Sequence, residues 1–155
     1  MKAKEIMVTT VPVISRKATV KEAYLILKKN LANEENLNTA PGLIVVDEQG
    51  NLAGILSPLT IIKALLDCAA KTRCKEAVTS SPPYTELCKE VREKLVEEVM
   101  DWQAISVTED ADLLDVAELF VKHRFQRIPV VKNNGVVGVI YRSRVLFALA
   151  TCLDG

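Results

Sequence analysis

The sequence predicts a mixed α/β fold: two pseudo-symmetric β-α-β-β-α units packed sheet to sheet, with a linker helix between them. Three observations predict it. The chain repeats itself at a nearly constant offset. Short β-branched runs alternate with amphipathic helical stripes. Gly- and Asn-bearing turns separate consecutive apolar runs, as hairpins require.

The repeat carries most weight. "EIMVTTVPVISRKATVKEA" lies on "EVMDWQAISVTEDADLLDV", so that Met7 falls on Met100 and Thr19 on Asp112, both 93 positions later. Farther on, Val45-Val46 fall on Val130-Val131 at an offset of 85, and Gly54 falls on Gly138 at 84. The first copy therefore carries extra polar residues around "LANEENLNT", which suit a surface loop. Two copies are too few for a solenoid and suit a pseudo-symmetric pair.

The elements follow in order. Val13 to Ser15 is a short extended piece, and Thr19 caps a helix whose stripe is Ala23, Ile26 and Leu27. Leu43 to Val46 and Ala53 to Leu56 are strands around the turn "DEQGN", and Leu59 to Leu66 is a helix. The connection contains the breaker "SSPPY". Thr85 then caps a helix with Leu87, Val91, Leu95 and Val99 on one side and alternating Lys and Glu on the other. The second copy begins with Ile105 to Thr108. Asp112 caps a helix carrying Val116, Leu119, Phe120 and His123. Ile128 to Val131 and Val136 to Tyr141 flank "KNNG", and Arg144 to Ala150 closes the copy. The predicted organisation is a first repeat over 4–68, a linker over 69–96 and a second repeat over 97–153, forming one module. A single three-stranded sheet with helices on one face leaves apolar surface wet, and pairing two such units covers it.

Composition narrows the function. Apolar residues make up 49 % of the 155, enough for a sizeable core, and acids and bases balance at 20 each. That balance supplies no global field for nucleic acid or an anionic membrane. The apolar stretches break well short of a membrane span, and "MKAKEIMVTT" lacks the apolar core of a signal peptide, so a cytoplasmic protein is expected. Cys68, Cys74, Cys88 and Cys152 form no CxxC pair, and His123 is the lone histidine, so reduced thiols and no metal site are expected. One histidine gives no Ser-His-Asp set, and no phosphate-binding GxxxxGK[ST] loop is present. Glu109 and Asp110 suit a helix entry electrostatically. A non-catalytic protein is expected.

"HRFQRIPVVKNNGVVGVI" and "VKEAYLILKKN…GLIVVDEQGNLAGILS" resemble the cystathionine-β-synthase (CBS) domain. The resemblance covers about Lys4 to Leu153 except the linker. It implies a tandem pair (a Bateman module) that homodimerises, binds an adenosine ligand between its repeats, and regulates a partner protein. AMP, ADP, ATP or S-adenosylmethionine are the ligands it implies. The family motif after the last strand is Gly-apolar-apolar-Ser/Thr-x-x-Asp. The first copy reads "GILSPLT", with Ser57 matching and Thr60 at the Asp position. The second reads "GVIYRSR", with Tyr141 and Arg144 in those places. The resemblance thus assigns one nucleotide cleft to Ser57, Thr60, Ile105, Ser106, Gln126 and Arg127. It assigns a second to Tyr141, Arg142 and Arg144, with Val11-Pro12-Val13 and Pro41-Gly42. Arg127 stands where relatives place a basic residue on phosphate. Ser57 serves as a helix cap, a ligand contact or both. Arg142 and Arg144 serve as phosphate holders, a solvated helix start or interface charges. Trp102, just ahead of the second copy, is either packing or an adenine platform. A ligand-free scaffold is the alternative function, and nucleic-acid binding is disfavoured by the charge balance.

Overall fold

The structure is a computed structural model that describes residues 1–31, 42–75 and 84–154. Its helices are α1 (Ala3–Ile6), α2 (Val20–Leu31), α3 (Pro58–Lys75), α4 (Tyr84–Arg92), α5 (Val96–Val99), α6 (Leu113–His123) and α7 (Arg142–Leu149). Its strands are β1 (Val13–Ser15), β2 (Leu43–Val46), β3 (Leu52–Leu56), β4 (Val107–Thr108), β5 (Arg127–Lys132) and β6 (Gly135–Tyr141). They form two three-stranded sheets, ordered β1-β2-β3 and β4-β5-β6. In each, the first pair is parallel and the second antiparallel. Each central strand carries a register shift against its hairpin partner, between Val45 and Val46 and between Val130 and Val131. The irregularity is therefore copied at the same 85-residue offset as the sequence repeat.

Side-chain alternation divides each sheet into two faces. Leu43, Val45 and Leu56 pack with Ala23 and Leu27 of α2, while Ile44 joins Val139 and Tyr141 in a cluster between the sheets. Ile128, Val130 and Ile140 pack with Val116 and Phe120 of α6. Both faces are covered, which explains the near-continuous apolar runs "LIVV" and "IPVV". The hairpin turns use the chemistry read from the sequence. Asn133 and Asn134 take φ of 51° and 70°, and Gly50 takes 82°. The two tips bond across the seam, Leu52 N to the Asn134 carbonyl at 3.1 Å and Val136 N to that of Gly50 at 3.4 Å.

The short leader helices are exchanged. Ala3 and Ile6 of α1 are buried in the core of the second repeat, and Val96 of α5 with Met100 in that of the first. Ala3, Lys4 and Leu113 bond as Ala3 N to Ala111 O, Lys4 N to Glu109 O and Leu113 N to Met1 O. Val96 N to Ala18 O, Glu97 N to Arg16 O and Val20 N to Lys94 O repeat that set 93 residues on.

Several boundaries move for physical reasons. The linker helix does not run through Val99. It stops after Arg92 and restarts at Val96, with Leu95 extended between them. The break turns Val96 onto the first sheet, where it is fully buried. Helix α3 runs on past Leu66 because Cys68 and Ala69 are buried, Cys68 against Val20 and Val91. The first strand of the second repeat begins at Val107, with Ile105 and Ser106 preceding it irregularly, and α7 begins two residues early at Arg142. Two caps agree with expectation: Asp112 accepts from Leu114 N at 3.0 Å, and Thr19 exchanges two bonds of 3.2 Å with Glu22. Thr85 instead lies within α4, which already includes Tyr84. Most of "LANEENLNT", most of "SSPPY", and Pro41 lie outside the described residues, as do the side chains of Thr85, Leu87, Cys74 and Cys152.

Candidate functional site

Strand β3 ends at Leu56 and α3 starts at Pro58, so Ser57 sits at the mouth of an 18-residue helix. Proline suits a first helical turn because that amide has no intrahelical acceptor. Ser57 N donates to Thr60 Oγ1 at 2.9 Å, Thr60 N donates to Ser57 Oγ at 3.3 Å, and the two hydroxyls lie 2.9 Å apart. Beside them opens a cavity of about 480 Å³. Its first-repeat wall is Ser57, Leu59, Thr60 and Lys63, and its opposite wall is Val99, Met100, Asp101, Trp102 and Gln103.

The second wall is held by backbone pairing. Asp101 N donates to Ile55 O at 2.9 Å, and Ile55 N donates to Asp101 O at 3.0 Å. Gly54 permits this approach: a Cβ there would lie 2.6 Å from the Asp101 carbonyl oxygen and 2.7 Å from Met100 Sδ. The Asp101 carboxylate accepts from Gln103 N through Oδ1 at 3.0 Å. Among the described residues, no ion pair engages Lys63 or Asp101. Trp102 leaves 61 % of its surface exposed.

Ser57 and Thr60 are thus brought together, and Trp102 with them. Ile105, Ser106, Gln126 and Arg127 are not among the cavity's lining residues. Ile105 and Ser106 are half-buried, and Gln126 is exposed. Arg127 is buried to 4 % exposure, and its guanidinium packs directly on Gly42. Its Cζ stands 5.8 Å from the Tyr141 ring centroid, a cation–π distance. Burial pulls the Arg127 pKa below its ordinary value, with the Tyr141 charge opposing, and burial pushes Tyr141 up. Arg127, Tyr141 and Gly42 therefore meet in the seam. Arg142 and Arg144 lie exposed on the first turn of α7.

Lys63, Asp101 and Gln103 escaped the sequence reading. Asp101 falls 93 positions after Val8, and Val8 pairs with Val139 as Asp101 pairs with Ile55. The repeat offset was the available signal. It becomes legible only once the leaders are known to cross. Among the described residues, no three His, Cys, Asp or Glu side chains gather as a metal site, and no helix is long and apolar enough to cross a membrane.

A family model for the CBS domain matches residues 3–67 and again residues 96–151. The chain belongs to the CBS-domain family. The two matched stretches include the two leaders, α1 and α5, whose exchange joins the CBS repeats. The CBS domain-containing protein YhcV of Bacillus subtilis is 27% identical over 137 residues, covering 88% of this chain and 77% of that one. The chloroplastic CBS domain-containing protein CBSX1 of Arabidopsis thaliana is 27% identical over 144 residues, covering 84% of this chain and 61% of that one. Among solved structures, a CBS domain-containing protein of unknown function from Kribbella flavida superposes with a TM-score of 0.73 at 22% identity, covering 97% and 99% of the two chains. CBSX2 in complex with AMP superposes with a TM-score of 0.69 at 21% identity, covering 98% of each. The cytosolic domain of the Mg2+ channel MgtE in complex with ATP gives 0.64 at 24% identity, covering 92% of this chain and 46% of that one. These likenesses establish the fold.

Proposed function

We propose that this CBS pair is a non-catalytic regulatory module of the cytoplasm that binds an adenosine nucleotide (AMP, ADP or ATP) in the Ser57 cavity and signals to a partner protein. The observation that carries the reading is a cavity whose two walls come from different repeats. It combines a long helix's N-terminus, the Lys63 ammonium and the exposed Trp102 ring. The helix N-terminus and Lys63 suit phosphate, and Trp102 suits adenine. The reading does not use Ile105, Ser106, Gln126 or Arg127. Two structural relatives in complex with AMP and with ATP give it further support.

A ligand touching both repeats binds one relative arrangement better than another and shifts the population toward it. Homodimerisation is part of the proposal. Ile62 and Leu66 of α3 and Leu146 and Phe147 of α7 expose apolar surface, and light scattering of a chromatographed sample is expected to give twice the chain mass.

Thermal melting with AMP, ADP, ATP and S-adenosylmethionine tests the reading. A ligand specific to the native state adds about 2.7 kcal/mol at roughly a hundredfold excess over its Kd. One observation favours the second reading, a ligand-free scaffold: the Ser57 and Thr60 hydroxyls already bond to each other. An unmoved melting temperature with all four compounds selects the scaffold.

A further inference from the structure

We infer that Asp101 is the specificity-determining residue of the cavity, selecting a ribonucleotide over its 2′-deoxy counterpart by accepting a ribose hydroxyl. The inference rests on the nucleotide reading above and adds a residue from the opposite repeat to it. The Ser57 and Thr60 hydroxyls each accept a backbone N–H, and one donates to the other. Two hydroxyls hold two protons and four lone pairs. After those bonds the pair retains one proton and one lone pair, so it can accept from only one hydroxyl of a cis-diol. The second diol proton needs another acceptor. Asp101 is the carboxylate among the lining residues. An ionised carboxylate is acceptor-only, and bonds to it are about twice as strong as neutral ones.

Its position is set by the fold. The paired bonds with Ile55 fix the Asp101 backbone, and the Gln103 amide holds Oδ1. Oδ2 has no hydrogen-bond partner among the described residues. Gln103 also lines the cavity, but its uncharged amide is the weaker acceptor.

The test is titration calorimetry of the full chain with AMP and with 2′-deoxy-AMP, on the native protein and on Asp101→Ala, Asp101→Asn and Trp102→Ala. A hydrogen bond to a charged group corresponds to roughly tenfold or more in Kd. The native protein is expected to bind AMP about tenfold or more tighter than 2′-deoxy-AMP. Asp101→Ala is expected to bring the two within about twofold by weakening AMP alone, and Asp101→Asn to fall between. Asp101→Asn keeps side-chain volume, so it reports even if Asp101→Ala folds poorly. Equal binding of both nucleotides by the native protein overturns the inference. So does discrimination that persists in Asp101→Ala while Trp102→Ala loses AMP; the nucleotide reading then stands. Absence of AMP binding by the native protein overturns both.

Discussion

The Arg127 guanidinium rests on Gly42, and these two residues occupy the same position in the two repeats, 85 apart. Gly42 immediately precedes β2, Arg127 is the first residue of β5, and the two meet at the seam between the sheets. One site carries the side chain, and the other carries the space for it. Gly42→Ala puts a methyl into the Arg127 guanidinium and is expected to lower stability by about 1–3 kcal/mol, the usual range for overpacking. Urea denaturation measures it. In an Arg127→Ala background the same change is expected to cost much less, because the obstructing group is gone. Equal costs in both backgrounds would falsify this account of the seam.

Two other glycines make an unequal pair. Gly54→Ala sets a Cβ 2.6 Å from a backbone carbonyl, whereas Gly138→Ala sets one 2.6 Å from the flexible end of Met7. A thioether tip moves readily, and a hydrogen-bonded carbonyl does not. Gly54→Ala is therefore expected to lower the melting temperature more than Gly138→Ala. The reverse order would place the tighter contact at the Met7 end.

The turn "DEQGN" predicts an acid-dependent contribution. Asp47 Oδ1 accepts from Asn51 N and Gln49 N, both at 2.9 Å, and the bond from the Asn51 backbone, then that from Gln49, hold its pKa below the ordinary value. A carboxylate depressed in the folded state stabilises fully above its unfolded pKa of about 3.9, and the effect disappears as pH falls through the folded value. The native protein is expected to melt above Asp47→Ala at pH 6–7, with the gap closing below about pH 4. A gap independent of pH would mean that Asp47 acts through geometry alone.

Trp102 is the single tryptophan of the chain and lies in the candidate cavity. Its emission reports that cavity and nothing else. Titration with AMP is expected to quench or blue-shift the fluorescence, with saturation at the calorimetric Kd. Calorimetric binding without a spectral change would move the ligand away from Trp102.

The fold was largely legible because its signals are local. The β-branched runs, the Asp112 and Thr19 caps and the Gly- and Asn-bearing turns each occupy a few adjacent residues, and the repeat offset doubled every one of them. The leaders α1 and α5 were not legible. Each has four residues, too few for a period, and the partners of each lie in the other repeat. The candidate site divided the same way. Ser57 and Thr60 sit within one turn and were read together. Lys63 lies one turn along the same helix, three residues after Thr60, whereas Asp101 becomes a neighbour of that turn only through the crossing of α5. The contact of Arg127 with its own counterpart depends on how the two sheets face, which no local pattern encodes.

The crossed leaders make each half the keeper of the other's missing piece. A gene cut between the repeats would encode two fragments, each holding a strap that fits only the opposite fragment. Neither should hold native shape in isolation. Co-expressed, they should find one another, which makes this small protein a natural scaffold for split-reporter complementation.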